Sequence, residues 1–473
     1  MAVTARVQVR RANADPFRRV LLVGGTVLTV DPSAGSYRTA DVLIEGSKLA
    51  AVGPNLASHI DPASALVIDA RGQIVMPGFV DTHRHCWQGQ LRRILPNADL
   101  RKYRFMRDSF AVHYQPDDHY IGTLVSAIGA LNGGITCLVD ISHNSRSSEH
   151  TDAAIRALFD AGIRGVHASA PPEAGAWDQQ WPEDLYRLKR DWFPSDDQPV
   201  TLRMAQRCVD PVDGLTPSRI RIARDLGIGV SVDPVVFPVC SDRVLELSRG
   251  GHLGPDLQFI HCAGLTDDAW NAISAAGVGV SLSPMADSFL GFGRPGLPTL
   301  QMALDHGIRP GLSVDVEPSL PGDMFSQMRT LMCLHRVQAV YSQFEGPHRP
   351  ITSRELIEFA TIEGARTIGM IDRIGSLTPG KAADLILVNA GSVNLMPLNN
   401  AFGSVVLGAS PADVETVMVD GVVRKWAGNL LDFDDRKMRL RAEQSRDRLV
   451  ERSGYRFDVF EDNAEELKAL EGF

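Results

Sequence analysis

The chain has 473 residues, with 48 Lys plus Arg against 57 Asp plus Glu and a net charge of −9, a mildly acidic balance that argues against a nucleic-acid partner or an anionic membrane surface. Its length, about three times a common domain size, predicts one large core with a smaller unit attached rather than a string of modules. No run of eighteen apolar residues occurs, and the basic, mixed start Thr4-Ala5-Arg6-Val7-Gln8-Val9-Arg10-Arg11 lacks the apolar stretch of a secretory leader, so the expected compartment is the cytoplasm.

Taken in chain order, the first elements are strands. Val20–Val30 and Asp41–Val52 are apolar runs, the second folding back on itself around Glu45-Gly46 as a hairpin. Next comes Ile74–Val80, followed by seven further apolar runs: Ile135–Ile141, Ile163–Val166, Val200–Gln206, Ile228–Val232, Leu257–Cys262, Val278–Leu282 and Ile308–Val314. Four of these follow a helical stretch that ends in a glycine suited to a helix C-cap, at Gly162, Gly227, Gly277 and Gly307. Eight continuous apolar strands alternating with helices predict an α/β protein with a parallel (β/α)8 TIM barrel, both strand faces buried. No Gly-x-Gly-x-x-Gly stands at a strand end to favour an open doubly wound sheet.

Between Pro171 and Pro199 lies a long polar, Trp-containing insertion, read as a lid or an interface element. Ala383–Val388 and Val417–Val423 return to strand patterning with Asp420-Gly421 as a turn, so the two ends of the chain are expected to form one small β-domain together. From Asp432 onward the chain is charged and helical, ending in acidic Glu461 to Glu471, and reads as a solvated surface helix. The six cysteines, Cys86, Cys137, Cys208, Cys240, Cys262 and Cys333, form no Cys-x-x-Cys pair and fit reduced core thiols.

In a barrel the chemistry sits where the strands stop. The first stops at His83-Arg84-His85, whose imidazoles, two residues apart, face one side and can grip one ion. The fifth stops at Asp233, the sixth at His261 and the eighth at Asp315. A lone strand-end His is more often a hydrogen-bonded structural residue and a lone Asp a cap. Three imidazoles and two carboxylates at four of eight strand ends point instead to a metal site.

The segments Pro77-Gly78-Phe79-Val80-Asp81-Thr82-His83-Arg84-His85, Gly375-Ser376-Leu377-Thr378-Pro379-Gly380-Lys381-Ala382-Ala383-Asp384-Leu385 and Val419-Asp420-Gly421 resemble the amidohydrolase superfamily, in its cytosine deaminase and chlorohydrolase-like branch, colinearly from about Val20 to about Gly428. The resemblance implies a β-sandwich made by both termini, with 1–73 as its first part and 375–431 as its second, a metal-dependent barrel over 74–374, and a helical tail over 432–473. It makes His83 and His85 metal ligands, Asp315 a ligand that also shuttles the proton of the attacking water, and His261 a residue that orients that water or polarises the substrate.

Two positions depart from the family pattern. The strand-five histidine is replaced by Asp233, which can still ligate but adds negative charge and shifts preference toward harder metals. The glutamate that protonates the ring in aminopyrimidine and purine deaminases corresponds to Val236, which argues against ring deamination. Strand four has no lysine to form a bridging carbamate, so one divalent ion is expected, zinc first, with iron or manganese as alternatives. Trp87, Gln88, Gln90, Val235, Phe237, Ser283, Asp287, Phe289 and Phe292 are candidate pocket residues, and Arg92 or Arg93 could meet a substrate carboxylate.

The expected function is a metal-dependent hydrolase acting on a non-peptide carbon–nitrogen bond of a small, partly apolar or aromatic molecule, in a homo-oligomeric assembly. The alternative on the same barrel is a lyase or cyclase using Asp233 and Asp315 as acid and base. A non-catalytic binding barrel ranks last, because His83, His85, His261 and Asp315 are all present.

Overall fold

A computed structural model of the chain describes residues 2–178, 180–292, 299–341 and 350–460. The N-terminal strands are β1 (Arg19–Leu28), β2 (Ser36–Glu45), β3 (Lys48–Gly53), β4 (Leu66–Asp69) and β5 (Gln73–Pro77). The hairpin between β2 and β3 forms at the expected Glu45-Gly46, where the left-handed φ of +60° at Gly46 suits a residue without a side chain.

The apolar run 74–80, expected as one barrel strand, is two strands in different sheets. Residues Gln73–Pro77 pair with β1 and with a C-terminal strand, and the barrel begins only at Phe79. The switch occurs at Gly78: its N–H donates to Asp384 O at 3.1 Å, whereas that of Phe79 donates to Gly134 O at 3.0 Å beside the barrel. A Cβ at residue 78 would lie 2.1 Å from Thr136 Oγ1, so only glycine lets the chain cross there.

The barrel strands are β6 (Phe79–Arg84), β7 (Ile135–Ser142), β8 (Arg164–Ser169), β9 (Val200–Gln206), β10 (Gly229–Val235), β11 (Leu257–His261), β12 (Gly279–Leu282) and β13 (Gly311–Leu312). All neighbours are parallel, in order β6 through β13. Glycine C-caps at Gly162 and Gly277 end the preceding helices in the left-handed region as the sequence suggests. The barrel closes through its last, shortest strand: Asp315 N donates to His83 O at 2.9 Å and His85 N to Asp315 O at 3.1 Å. Closure therefore uses the backbone of the candidate site itself.

Four C-terminal strands, β14 (Leu385–Asn389), β15 (Val414–Val419), β16 (Val422–Trp426) and β17 (Asn429–Leu430), complete the nine-stranded terminal sheet, with β14 antiparallel to β5. The two ends of the chain thus share one sheet, as expected. The helix Asp435–Ser453 is not merely solvated. Ser445 and Leu449 are fully buried, Ser445 Oγ donates to Asp118 at 2.8 Å, and Arg448 and Arg452 reach the same carboxylate. The acidic stretch Glu461 to Glu471 lies outside the described residues. Among the described residues no helix is long and apolar enough to cross a membrane.

Candidate metal centre

Strand alternation decides what β6 delivers where. His83 and His85 turn toward the axis of the barrel mouth, while Arg84 turns outward to Asp81 at 2.7 Å and Glu317 at 2.9 Å. At the mouth the strand-end residues meet. His83 Nε2 is 3.1 Å from Asp315 Oδ1, and His85 Nε2 is 3.4 Å from both Asp233 Oδ2 and Asp315 Oδ1. His261 Nε2 lies 3.3 Å from Asp233 Oδ1. Two trios, His83–His85–Asp233 and His83–His261–Asp315, each hold their potential ligand atoms within 4.8 Å of one another.

The hydrogen bonds fix which ring nitrogens are free. His85 Nδ1 lies 3.1 Å from Ile141 O, an acceptor only, and so carries the proton. His261 Nδ1 is 2.6 Å from Asp287 Oδ1. In its neutral form the His85 ring therefore presents its Nε2 lone pair to carboxylate oxygens of Asp233 and Asp315, acceptor facing acceptor. A shared cation resolves that clash, and the donor set of imidazoles and carboxylates, with outer partners on two of the three rings, fits a divalent metal.

Charge follows the same arrangement. Burial works against ionisation of Asp315 and Asp233, but the facing imidazoles outweigh it and hold both below the ordinary carboxylate value, Asp233 well below. Burial likewise opposes protonation of His261, yet Asp287, Asp233 and Asp315 raise its pKa well above the usual imidazole value. His261 and Asp315 both sit at a left-handed φ of 71°, a conformation costly for residues with side chains and typical of positions held for function.

A cavity of about 160 Å³ opens over this cluster. Phe292 stacks on the His261 ring, with centroids 4.4 Å apart and planes at 10°. His143, just beyond β7, packs edge-on against His85 at 4.2 Å. One wall is the helix Leu100–Ala111, which presents Leu100, Tyr103, Arg104 and Arg107 at helical spacing; Glu173 and Arg207 complete the rim.

Of the residues expected around the substrate, Phe292 lines this cavity; Trp87, Gln88, Gln90, Phe237, Ser283 and Asp287 do not. Trp87, Gln88 and Gln90 are buried in a 3₁₀ turn behind the mouth, where Gln88 donates to Tyr103 Oη and Gln90 to Tyr114 Oη. Ser283 bonds Ser313 inside the barrel, and Phe237 is 43% exposed. Asp287 acts one layer back, through its bond to His261. Arg92 is taken by Glu317 at 2.8 Å. The insertion after β8 reaches the site through Glu173, and Cys86 is a buried thiol whose pKa burial pushes well up. His143 sits at a strand end, as His261 does, and that position is its signal in the sequence. Arg104 and Arg107 lie on a helix that a survey of strand ends does not visit.

A profile of the Amidohydrolase family matches residues 239–424. A 5-methylthioadenosine/S-adenosylhomocysteine deaminase from Symbiobacterium thermophilum is 31% identical over 430 residues, covering 86% of this chain and 93% of that protein. Among solved structures, an adenosine deaminase from Xanthomonas campestris with bound zinc superposes with a TM-score of 0.78 at 22% identity, covering 91% of this chain and 98% of its own. Atrazine chlorohydrolase from Arthrobacter aurescens, complexed with zinc, gives 0.74 at 21% identity, covering 90% and 99%. The chain belongs to the amidohydrolase family and is a metal-dependent hydrolase of carbon–nitrogen bonds other than peptide bonds.

Proposed function

We propose that the enzyme hydrolyses an amide-like, urea-like or amino-substituted C–N bond in a small, partly aromatic molecule, with one divalent ion held by His83, His85, Asp233 and Asp315. The observation that carries this reading is the convergence of imidazole Nε2 atoms and carboxylate oxygens within 3.1–3.8 Å at the barrel mouth. Zinc is the first choice, in keeping with the zinc of the Xanthomonas campestris adenosine deaminase. When bound, such an ion supplies Lewis acidity that lowers the pKa of water from 15.7 to about 7.

The chain's own groups do the rest. Asp315, held ionised, accepts a proton from the attacking water and returns it to the leaving nitrogen, so that one water is consumed and one amine released. His261, fixed by Asp287, is a donor aimed at the oxygen or nitrogen on which charge develops. Val236 is 6% exposed and cannot protonate a ring, which favours substrates that need no ring protonation. Asp233 and Asp315 face the same imidazoles and are both held in the charged form, so they do not divide into an acid and a base as a lyase would require.

Elemental analysis of the purified wild type beside Asp233→His tests the ligand set. Equal occupancy at one ion per chain supports Asp233 as a ligand, whereas a marked gain in the variant removes it. Product formed in ¹⁸O-labelled water carries the label if the step is hydrolysis; its absence would sink the reading.

A further inference from the structure

The cavity rim carries three guanidinium groups, from Arg104, Arg107 and Arg207. They are unequally paired. Arg107 is bonded to Glu173 and lies 2.8 Å from Asp108; Arg207 lies 2.9 Å from Asp210. The Arg104 guanidinium makes no hydrogen bond or ion pair to any described residue. One positive charge at the mouth is therefore left without a carboxylate of its own.

Crowding sharpens this. Arg104 and Arg107 are one helical turn apart on the face of Leu100–Ala111 that lines the cavity, and Arg207 follows β9 on the rim. Partial burial and the repulsion of Arg107 and Arg207 both disfavour the charged form of Arg104, although an arginine stays protonated throughout the physiological range. Like charges gathered at a concave apolar wall, here Leu100, Pro234 and Phe292, raise the local concentration of anions and are relieved by one that binds.

We propose that the substrate carries a carboxylate remote from the scissile bond, and that Arg104, supported by Arg207, binds it at the cavity rim while the C–N bond lies over the histidine–aspartate cluster. A guanidinium fork matches a carboxylate in two parallel hydrogen bonds. A single spare charge favours a monoanion over a phosphate dianion. Anion capture at the rim also sets the bond's register against Asp315, which makes Arg104 a specificity residue for the reaction proposed above, on which this inference rests.

The test uses metal-loaded enzyme and calorimetric binding of hippurate, 4-ureidobenzoate, their methyl esters, and phenyl phosphate, at fixed ionic strength. Wild type is expected to bind at least one carboxylate about 10-fold or more tighter than its ester. Arg104→Gln should shrink that gap below about 3-fold with ester affinity unchanged, and Arg104→Lys should restore part of it. The inference is overturned if no carboxylate binds wild type, if the esters bind equally well, or if Arg104→Gln keeps the gap; phenyl phosphate binding tighter than both carboxylates overturns the monoanion assignment. Cleavage is scored in the same samples against Asp315→Asn. An Arg104-dependent gap without cleavage counts against the reaction alone, and cleavage without the gap counts against the carboxylate alone.

Discussion

Two buried clusters of charge are built from adjacent residues of β6, and they do opposite things with it. On the outer side Arg84 is fully enclosed: Asp81, Glu317 and the Gly322 carbonyl take its protons, and Arg92 adds a second cation to Glu317. Every formal charge there has a partner. On the inner side neutral His85 turns its Nε2 lone pair to both Asp233 and Asp315, an arrangement that a cation between them would complete. A closed network fixes geometry, whereas an open one binds and reacts, and here the closed one braces the strand that carries the open one.

The largest expected effect comes from breaking the open cluster's proton path. Asp315→Asn should lower kcat by about 10⁴-fold or more, with a melting temperature within a few degrees of wild type, as read by steady-state rates and calorimetry. Breaking the closed network should reverse that pattern. Arg84→Leu strands Asp81 without its cation, leaves Glu317 only Arg92, and should cost about 3–5 kcal/mol in denaturant unfolding, while metal per folded chain stays near wild type. Equal metal loss in both variants would show that the two clusters are not separable.

Asp213, buried beside the rim, sharpens the comparison because it is a carboxyl without full compensation. Burial raises its pKa to about 7, against the pull of Arg207. The folded state then keeps a proton that the unfolded chain has lost, so stability falls as pH rises from about 4 to about 7 and levels off above. Asp213→Asn removes this slope: the variant should match wild type near pH 4 and exceed it by about 2–4 kcal/mol at pH 8, measured by urea unfolding. The smallest effect is expected from Arg448→Ala, at about 1 kcal/mol or less. Its guanidinium is 38% exposed, and Arg452 and Ser445 still serve Asp118.

The barrel and the candidate metal centre were legible because both obey short-range rules. Apolar strand runs give the eight strands, and their ends give His83, His85, Asp233, His261 and Asp315. The change of sheet at Gly78 was hidden because the apolar run continues from Ile74 to Val80 across it, while the Thr136 methyl and hydroxyl pressed against the glycine belong to a distant strand. Trp87, Gln88 and Gln90 follow His83 and His85 in sequence, but a 3₁₀ turn carries them behind the mouth, where the two glutamines hold Tyr103 and Tyr114. The arginine rim left no mark at a strand end, since Arg104 and Arg107 come from the helix Leu100–Ala111. The tail helix looked solvated by composition, yet buried Ser445 and Leu449, with Arg448 and Arg452 on Asp118, seat it against the barrel.

The antiparallel pairing of β5 with β14 joins residues 73–77 to residues 385–389. During synthesis the first five strands must therefore wait for the whole barrel to leave the ribosome before their sheet can be completed, an arrangement of high contact order. Until then the edge of β5, with Ile74, Val75 and Met76, has no β14 beside it. A nascent chain arrested before residue 385 should need a chaperone to stay in solution.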